Sequence, residues 1–169
     1  MIILGIDPGL AHTGCGIIQA EGDRLRLLGY GVITTPAHDP LPGRLREIYR
    51  GIREICGEYH PDSVAVEDIF FAANVKTAVA VAQARGVAIL ASEESGASLF
   101  QYSPLHIKMA VVGYGRASKK QIQEMVKVIL TLSEIPRPDH AADALAVAIC
   151  HAFKPRIAPD LKPMPEEIF

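Results

Sequence analysis

Three places in the chain set a carboxylate at the margin of an apolar run. Ile2 to Ile6 is a short hydrophobic stretch that delivers Asp7 and breaks at Pro8-Gly9. Ser63-Val-Ala-Val does the same for Glu67, and Asp139-His-Ala-Ala-Asp143 opens a segment that continues through Leu145, Val147 and Ile149. A charge at the end of a buried element is costly unless something compensates it, and clustered carboxylates raise one another's pKa unless a cation neutralises them. If the two strands end on one edge of one sheet, Asp7 and Glu67 come together. His140 and Asp143, three apart on a helix, share a face. Oxygen donors in this number suit Mg²⁺ or Mn²⁺, and the histidine shifts the preference towards Mn²⁺. Two such ions about 3.5–4 Å apart can activate water and stabilise the leaving oxygen in phosphodiester cleavage. Each residue alone also has a plainer reading: Asp7 as a turn or capping aspartate, and His140 or Asp143 as a satisfied polar core residue. Asp139, at the start of its helix, is expected to cap it. Glycines at 5, 9, 14 and 16 leave the backbone around Asp7 uncovered, as a close ligand would require.

The elements that must position these residues follow from periodicity. The apolar run before Asp7 reads as a strand buried on both faces. A β-rich segment resumes at Cys15, Ile17 and Ile18 to pair with it as a hairpin, and Arg24 to Thr35 forms a third antiparallel strand. A helix runs from about Leu41 to Tyr59, with an apolar stripe through Leu45, Ile48, Ile52 and Cys56 and with Arg44, Arg46, Arg50 and Arg53 on a solvated face. Ser63 to Glu67 is a fourth strand, the alanine-rich stretch from Asn74 to Ser95 a long helix loosened at Gly86, and Ala97 to Tyr102 a fifth strand. A brief helix spans Pro104 to Val112. Ser118 with Gln121 forms a capping box that opens the next helix, and a last helix runs from about Asp139 to Phe153. The order predicts a mixed five-stranded α/β sheet with antiparallel first three strands, flanked by helices. Residues 1–153 make one domain, and 154–169 a Pro-rich, loose tail.

The substrate signal lies between residues 106 and 127, where Lys108, Arg116, Lys119, Lys120 and Lys127 face only Glu124. Lys119 and Lys120 fall in a first helical turn, where backbone amides also favour phosphate; the alternative is a solvated charged helix. Beside Glu67, Phe70 and Phe71 could stack on or wedge between bases, or pack in the core.

At 169 residues and 49% apolar, the chain suits one domain with a substantial core. A formal charge of −2 excludes a general basic field, so nucleic-acid binding needs a local patch. Cys15, Cys56 and Cys150 have no disulfide or zinc spacing. With no signal peptide and no apolar stretch of the ~20 residues that span a membrane, a cytoplasmic protein is expected.

Taken together, Gly-Ile-Asp7-Pro-Gly, Val-Glu67-Asp-Ile-Phe70-Phe, Ala-Arg85-Gly and Asp-His140-Ala-Ala-Asp143-Ala-Leu-Ala resemble the RuvC family of bacterial Holliday junction resolvases from Met1 to about Phe153. The resemblance implies an RNase H-like fold, a homodimer, Mg²⁺-dependent paired nicks across four-way DNA junctions in recombination and repair, and partnership with the RuvA–RuvB branch-migration complex. It maps the acidic site onto Asp7, Glu67 and Asp143, and its fourth position onto His140, beside Asp139. It also maps an aromatic at the junction centre onto Phe70, DNA-contacting lysines onto Lys108 and Lys119, and a dimer helix onto the segment after Asn74. Other readings are a non-catalytic junction-binding scaffold and a general RNase H-type nuclease. An actin-like kinase, suggested by Gly-Ile-Asp-Pro-Gly, needs two such domains, which the chain is too short to hold.

Overall fold

A computed structural model describes residues 1–68 and 75–154; Phe70, Phe71 and the tail beyond Lys154 lie outside the described residues. The elements are β1 (Ile2–Asp7), β2 (His12–Glu21), β3 (Arg24–Thr34), α1 (Leu41–Tyr59), β4 (Ser63–Glu67), α2 (Val75–Glu93), β5 (Ser98–Tyr102), α3 (Pro104–Val112), α4 (Lys119–Ile129) and α5 (Asp139–Ala152). The sheet order is β3-β2-β1-β4-β5. The first three strands are antiparallel, and β4 runs parallel to both β1 and β5, the mixed sheet that the element order predicts. Parallel neighbours need crossovers, which α1 and α2 supply.

Alternation along the two central strands sorts their side chains between two cores. Leu4, Ile6, Val64 and Val66 point to one face and pack with Ile48 and Ile52 of α1 and Ala84 and Ala88 of α2. Ile3 and Ala65 point to the other, where Leu145, Ile149 and neighbouring α5 residues pack with α3 and α4. Asp7 and Glu67 share the parity of Ile3 and Ala65, so both carboxylates rise on the α5 face.

That face of the β1–β2 hairpin is floored with glycine. Gly5 pairs across the hairpin with Gly16, and Asp7 with Gly14. A β-carbon on Gly5 would overlap the carbonyl oxygen of Ala144; on Gly14, that of His140; and on Gly16 it would lie 2.7 Å from Leu145 Cγ. These glycines are therefore not bare backbone awaiting a ligand, as the sequence suggested. Helix α5 covers them, and their missing side chains let it sit low on the sheet, bringing its first turn down beside Asp7.

Other local expectations fare variously. Helix α1 has the anticipated bounds and ends at His60 in a left-handed conformation, φ 46°, with its N–H bonded to the Cys56 carbonyl at 3.0 Å. Both bonds of the Ser118–Gln121 capping box are present. Helix α2 passes through Gly86 unbroken. Arg44 is not part of a solvated face: its Nε donates to Thr35 Oγ1 at 2.9 Å. The three cysteines are free and buried. No helix among the described residues is long and apolar enough to cross a membrane.

The close seating of α5 yields a direct test. Gly14→Ala forces the helix off the sheet and should destabilise by about 1–3 kcal/mol, whereas Gly31→Ala, with nothing within 4 Å of the added carbon, should stay within about 0.5 kcal/mol. Denaturant melts of the two variants decide it; equal stability would mean that α5 does not depend on the glycine floor.

Candidate active site

Asp7 and Glu67 are the last residues of β1 and β4. These strands pair in parallel with Ile6 opposite Val66, so the two carboxylates emerge side by side. Above them, the first turn of α5 turns His140 and Asp143 to the same spot. Donor atoms of Asp7, His140 and Asp143 all lie within 4.8 Å of one another, and His140 Nδ1 is 2.7 Å from Asp7 Oδ2. Glu67 stands outside this group of three but shares with Asp143 and Lys108 a cavity of about 150 Å³ between β4, α3 and α5.

Asp139 behaves differently from its expected capping role. The N-cap position belongs to Pro138, with no side-chain cap bond. Asp139 instead pairs with Arg137 Nη1 at 2.8 Å and lies 3.8 Å from Lys119 Nζ. It reaches the rim, whereas His140 reaches Asp7.

The electrostatics show strain relieved only in part. Burial, then the charges of Asp7 and Asp143 and a hydrogen bond with Asp7, push Glu67 up to about 7. Burial also raises Asp143, against the opposing pull of Lys119. Lys119 Nζ donates to Asp143 Oδ2 at 2.7 Å. Burial would lower this ammonium's pKa, but the bond to Asp143 and the charges of Asp143, Asp139 and Asp7 together hold it above the ordinary lysine value. Three convergent donors of hard oxygen and imidazole type, beside carboxylates that resist ionising, fit a divalent cation.

Of the residues anticipated for DNA, Lys108 lines the cavity beside Glu67. Arg116 and Lys120 are exposed around the start of α4. Lys119, with its side chain 51% exposed, directs its ammonium onto Asp143. Two residues near the site had been given no role. Arg85 of α2, 17% exposed, donates from Nε to the Glu67 carbonyl at 3.3 Å and pairs through Nη2 with Asp68 at 3.2 Å, clasping the end of β4. Its signal was legible, since it is the one charged residue between Lys76 and Glu93. The second, His12, continues the parity of Gly14 and Gly16 and stacks on His140, with ring centroids 5.6 Å apart.

The sheet order and the acidic centre under α5 define an α/β protein of RNase H-like fold. The family model described as crossover junction endodeoxyribonuclease RuvC matches residues 3–151. A RuvC of that description from Alkaliphilus oremlandii is 58% identical over 152 residues, 90% of this chain and 93% of that protein. The Thermus thermophilus RuvC structure superposes with a TM-score of 0.86 at 39% identity, covering 92% of this chain and 96% of that one. T. thermophilus RuvC in complex with Holliday junction substrate superposes with a TM-score of 0.87 at 38% identity, covering 92% and 95%. The chain belongs to the RuvC family of crossover junction endodeoxyribonucleases.

The raised pKa of Glu67 fixes the sign of a stability effect. Between its ordinary value of 4.5 and about 7, the folded protein binds more protons at Glu67 than the unfolded chain, so this group's contribution falls as pH rises through that window. Metal-free Glu67→Gln should therefore melt higher than the parent at about pH 8, by on the order of a few degrees, and the gap should close towards about pH 5. Melting in chelator across this range checks it; parallel pH profiles would show that Glu67 ionises freely.

Proposed function

We infer that this chain resolves Holliday junctions by paired nicks in two symmetry-related strands, with Asp7, Glu67, His140 and Asp143 as its catalytic, metal-holding residues. The observation that carries the reading is the convergence of Asp7, His140 and Asp143 within 4.8 Å, beside Glu67, in a chain of the RuvC family. Mg²⁺ suits the carboxylates, and the imidazole would make Mn²⁺ acceptable. Bound as a pair, such ions supply Lewis acidity towards water and the leaving oxygen.

The chain's own residues do the rest. Asp7 and Asp143 offer carboxylate oxygens, and His140 adds a nitrogen donor steadied by Asp7. Lys108 sets an ammonium beside Glu67, where an entering phosphate would meet it. Arg116, Lys119 and Lys120 extend the positive surface along the DNA path, and Phe70 is assigned to unstacking bases at the junction centre. Asp7→Asn should abolish cleavage of a synthetic four-way junction in Mg²⁺ while junction binding survives, and linear duplex and RNA–DNA hybrid should stay intact with the parent enzyme. His140→Ala should lose most activity, whereas Asp139→Ala should keep it. Lys108→Ala should reduce the log–log salt slope of junction binding by about one unit. Phe70→Ala should lose junction nicking at unchanged melting temperature. Hybrid cleavage at the junction rate would point instead to a general RNase H-type nuclease.

A four-way junction presents two equivalent strands, and a twofold dimer matches that symmetry. Helix α2 suits the axis. Ala84, Ala88 and Ala91 are buried towards the core, while Val79 and Leu90 are each 53% exposed, and nothing lies within 4 Å of a β-carbon at Gly86. Leu90→Arg should shift the protein from dimer to monomer in sedimentation equilibrium and uncouple the two nicks; an unchanged dimer would move the interface off α2. Family membership supports cytoplasmic action with RuvA–RuvB as part of this reading, and co-sedimentation on junction DNA tests that partnership.

A further inference from the structure

Parity along β2 sets Gly16, Gly14 and His12 on the α5 face in succession. The helix lies over the two glycines, and its first turn ends where the next side chain, His12, stands up. The two imidazoles are stacked, with centroids 5.6 Å apart and planes inclined by 29°, within the usual range for ring pairs. The backbone beneath His12 is well held. Thr13 Oγ1 donates to the Gly9 carbonyl at 2.8 Å, and the Thr35 N–H donates to the Ala11 carbonyl at 3.0 Å. A β-carbon at Gly9 would lie 2.5 Å from the His12 carbonyl oxygen, so the turn is closed tightly at that point. On the far side, Thr34 is the cross-strand partner of His12, with its hydroxyl 3.5 Å from His12 Nδ1.

His140 needs such a support. Its side chain is 43% exposed, and its contact with Asp7 runs through one ring nitrogen. A single hydrogen bond fixes the position of that atom but leaves the plane of the ring free to tilt about it. A second ring lying against the first removes this freedom. We propose that His12 is a positioning residue for His140: by stacking, it fixes the imidazole plane and so the donor geometry that Asp7, His140 and Asp143 offer a divalent cation. The proposal rests on the reading of those three residues as a metal site. His12 acts through His140 and holds neither cation nor DNA.

The test uses the full-length protein and Mn²⁺ binding by calorimetry without DNA, alongside junction binding in chelator. His12→Ala should weaken Mn²⁺ binding by about 10-fold, in line with supporting contacts at metal sites, and leave the junction Kd unchanged. His12→Phe, which retains a stacking ring without a nitrogen, should recover most of the affinity. In a His140→Ala background, His12→Ala should have no further effect, because the coupling runs through the missing ring. Unchanged Mn²⁺ affinity in His12→Ala, no rescue by phenylalanine, or independent effects in the double variant would each overturn the proposal. Weakened junction binding with intact Mn²⁺ affinity would also overturn it, making His12 a phosphate contact. If Asp7→Asn abolishes Mn²⁺ binding while His12→Ala does not alter it, only the role of His12 fails; if neither variant affects it, the metal-site reading itself fails.

Discussion

The repulsion among Asp7, Glu67 and Asp143 is the constraint around which the fold is arranged. Three carboxylates held beside one another and partly withdrawn from water disfavour the folded state, so rigid, well-packed elements must hold them there. β1 and β4 are anchored by side chains in both cores, and α5 is buried along nearly its whole length. The acidic residues sit at the ends of these three elements. A loop would relax and let the charges part; a central strand and a buried helix cannot move without opening the core.

Close approach is the second requirement, and glycine provides it. The carboxylates of Asp7 and Asp143 belong to residues distant in sequence, and they meet because α5 lies against a hairpin floor without side chains. The same absence that brings His140 over Gly14 exposes His12 to its ring. The glycines therefore set the fold and the site at once, through what they leave out.

Much of this was legible in the sequence. Short apolar runs put Asp7 and Glu67 at strand ends, helical spacing put His140 and Asp143 on one face, and the capping box announced α4. These are local features, written in periods of two and 3.6 residues. What escaped was relational. Glycines around a carboxylate read equally as room for a ligand or room for a helix, and only the packing of α5 decides between them. Asp139 looked like a cap because it begins its helix, but Pro138 takes the cap position and frees it to pair with Arg137 and approach Lys119. Arg85 was visible as a lone charge, yet its target, the carbonyl of Glu67 eighteen residues earlier, is set by how α2 returns across the sheet.

Lys119 shows how one side chain can belong to two descriptions. Read from charge pattern, it is one of a run of cations at a helix start, suited to phosphate. In the fold, its ammonium lies against Asp143 and near Asp139, where it offsets part of the repulsion that a divalent cation would otherwise have to neutralise. The two descriptions are compatible because both depend on the same position, at the mouth of an acidic site on the first turn of α4, where the capping box fixes the backbone and the long side chain can swing. Lys119 holds Asp143 Oδ2, and Asp143 is also one of the three residues whose donor atoms converge at the Asp7–His140–Asp143 cluster. By linkage, a ligand that competes for that oxygen must release the ammonium to the extent that it binds. Partial charge compensation of Asp143 and a position at the mouth of the acidic site are thus two properties of one lysine.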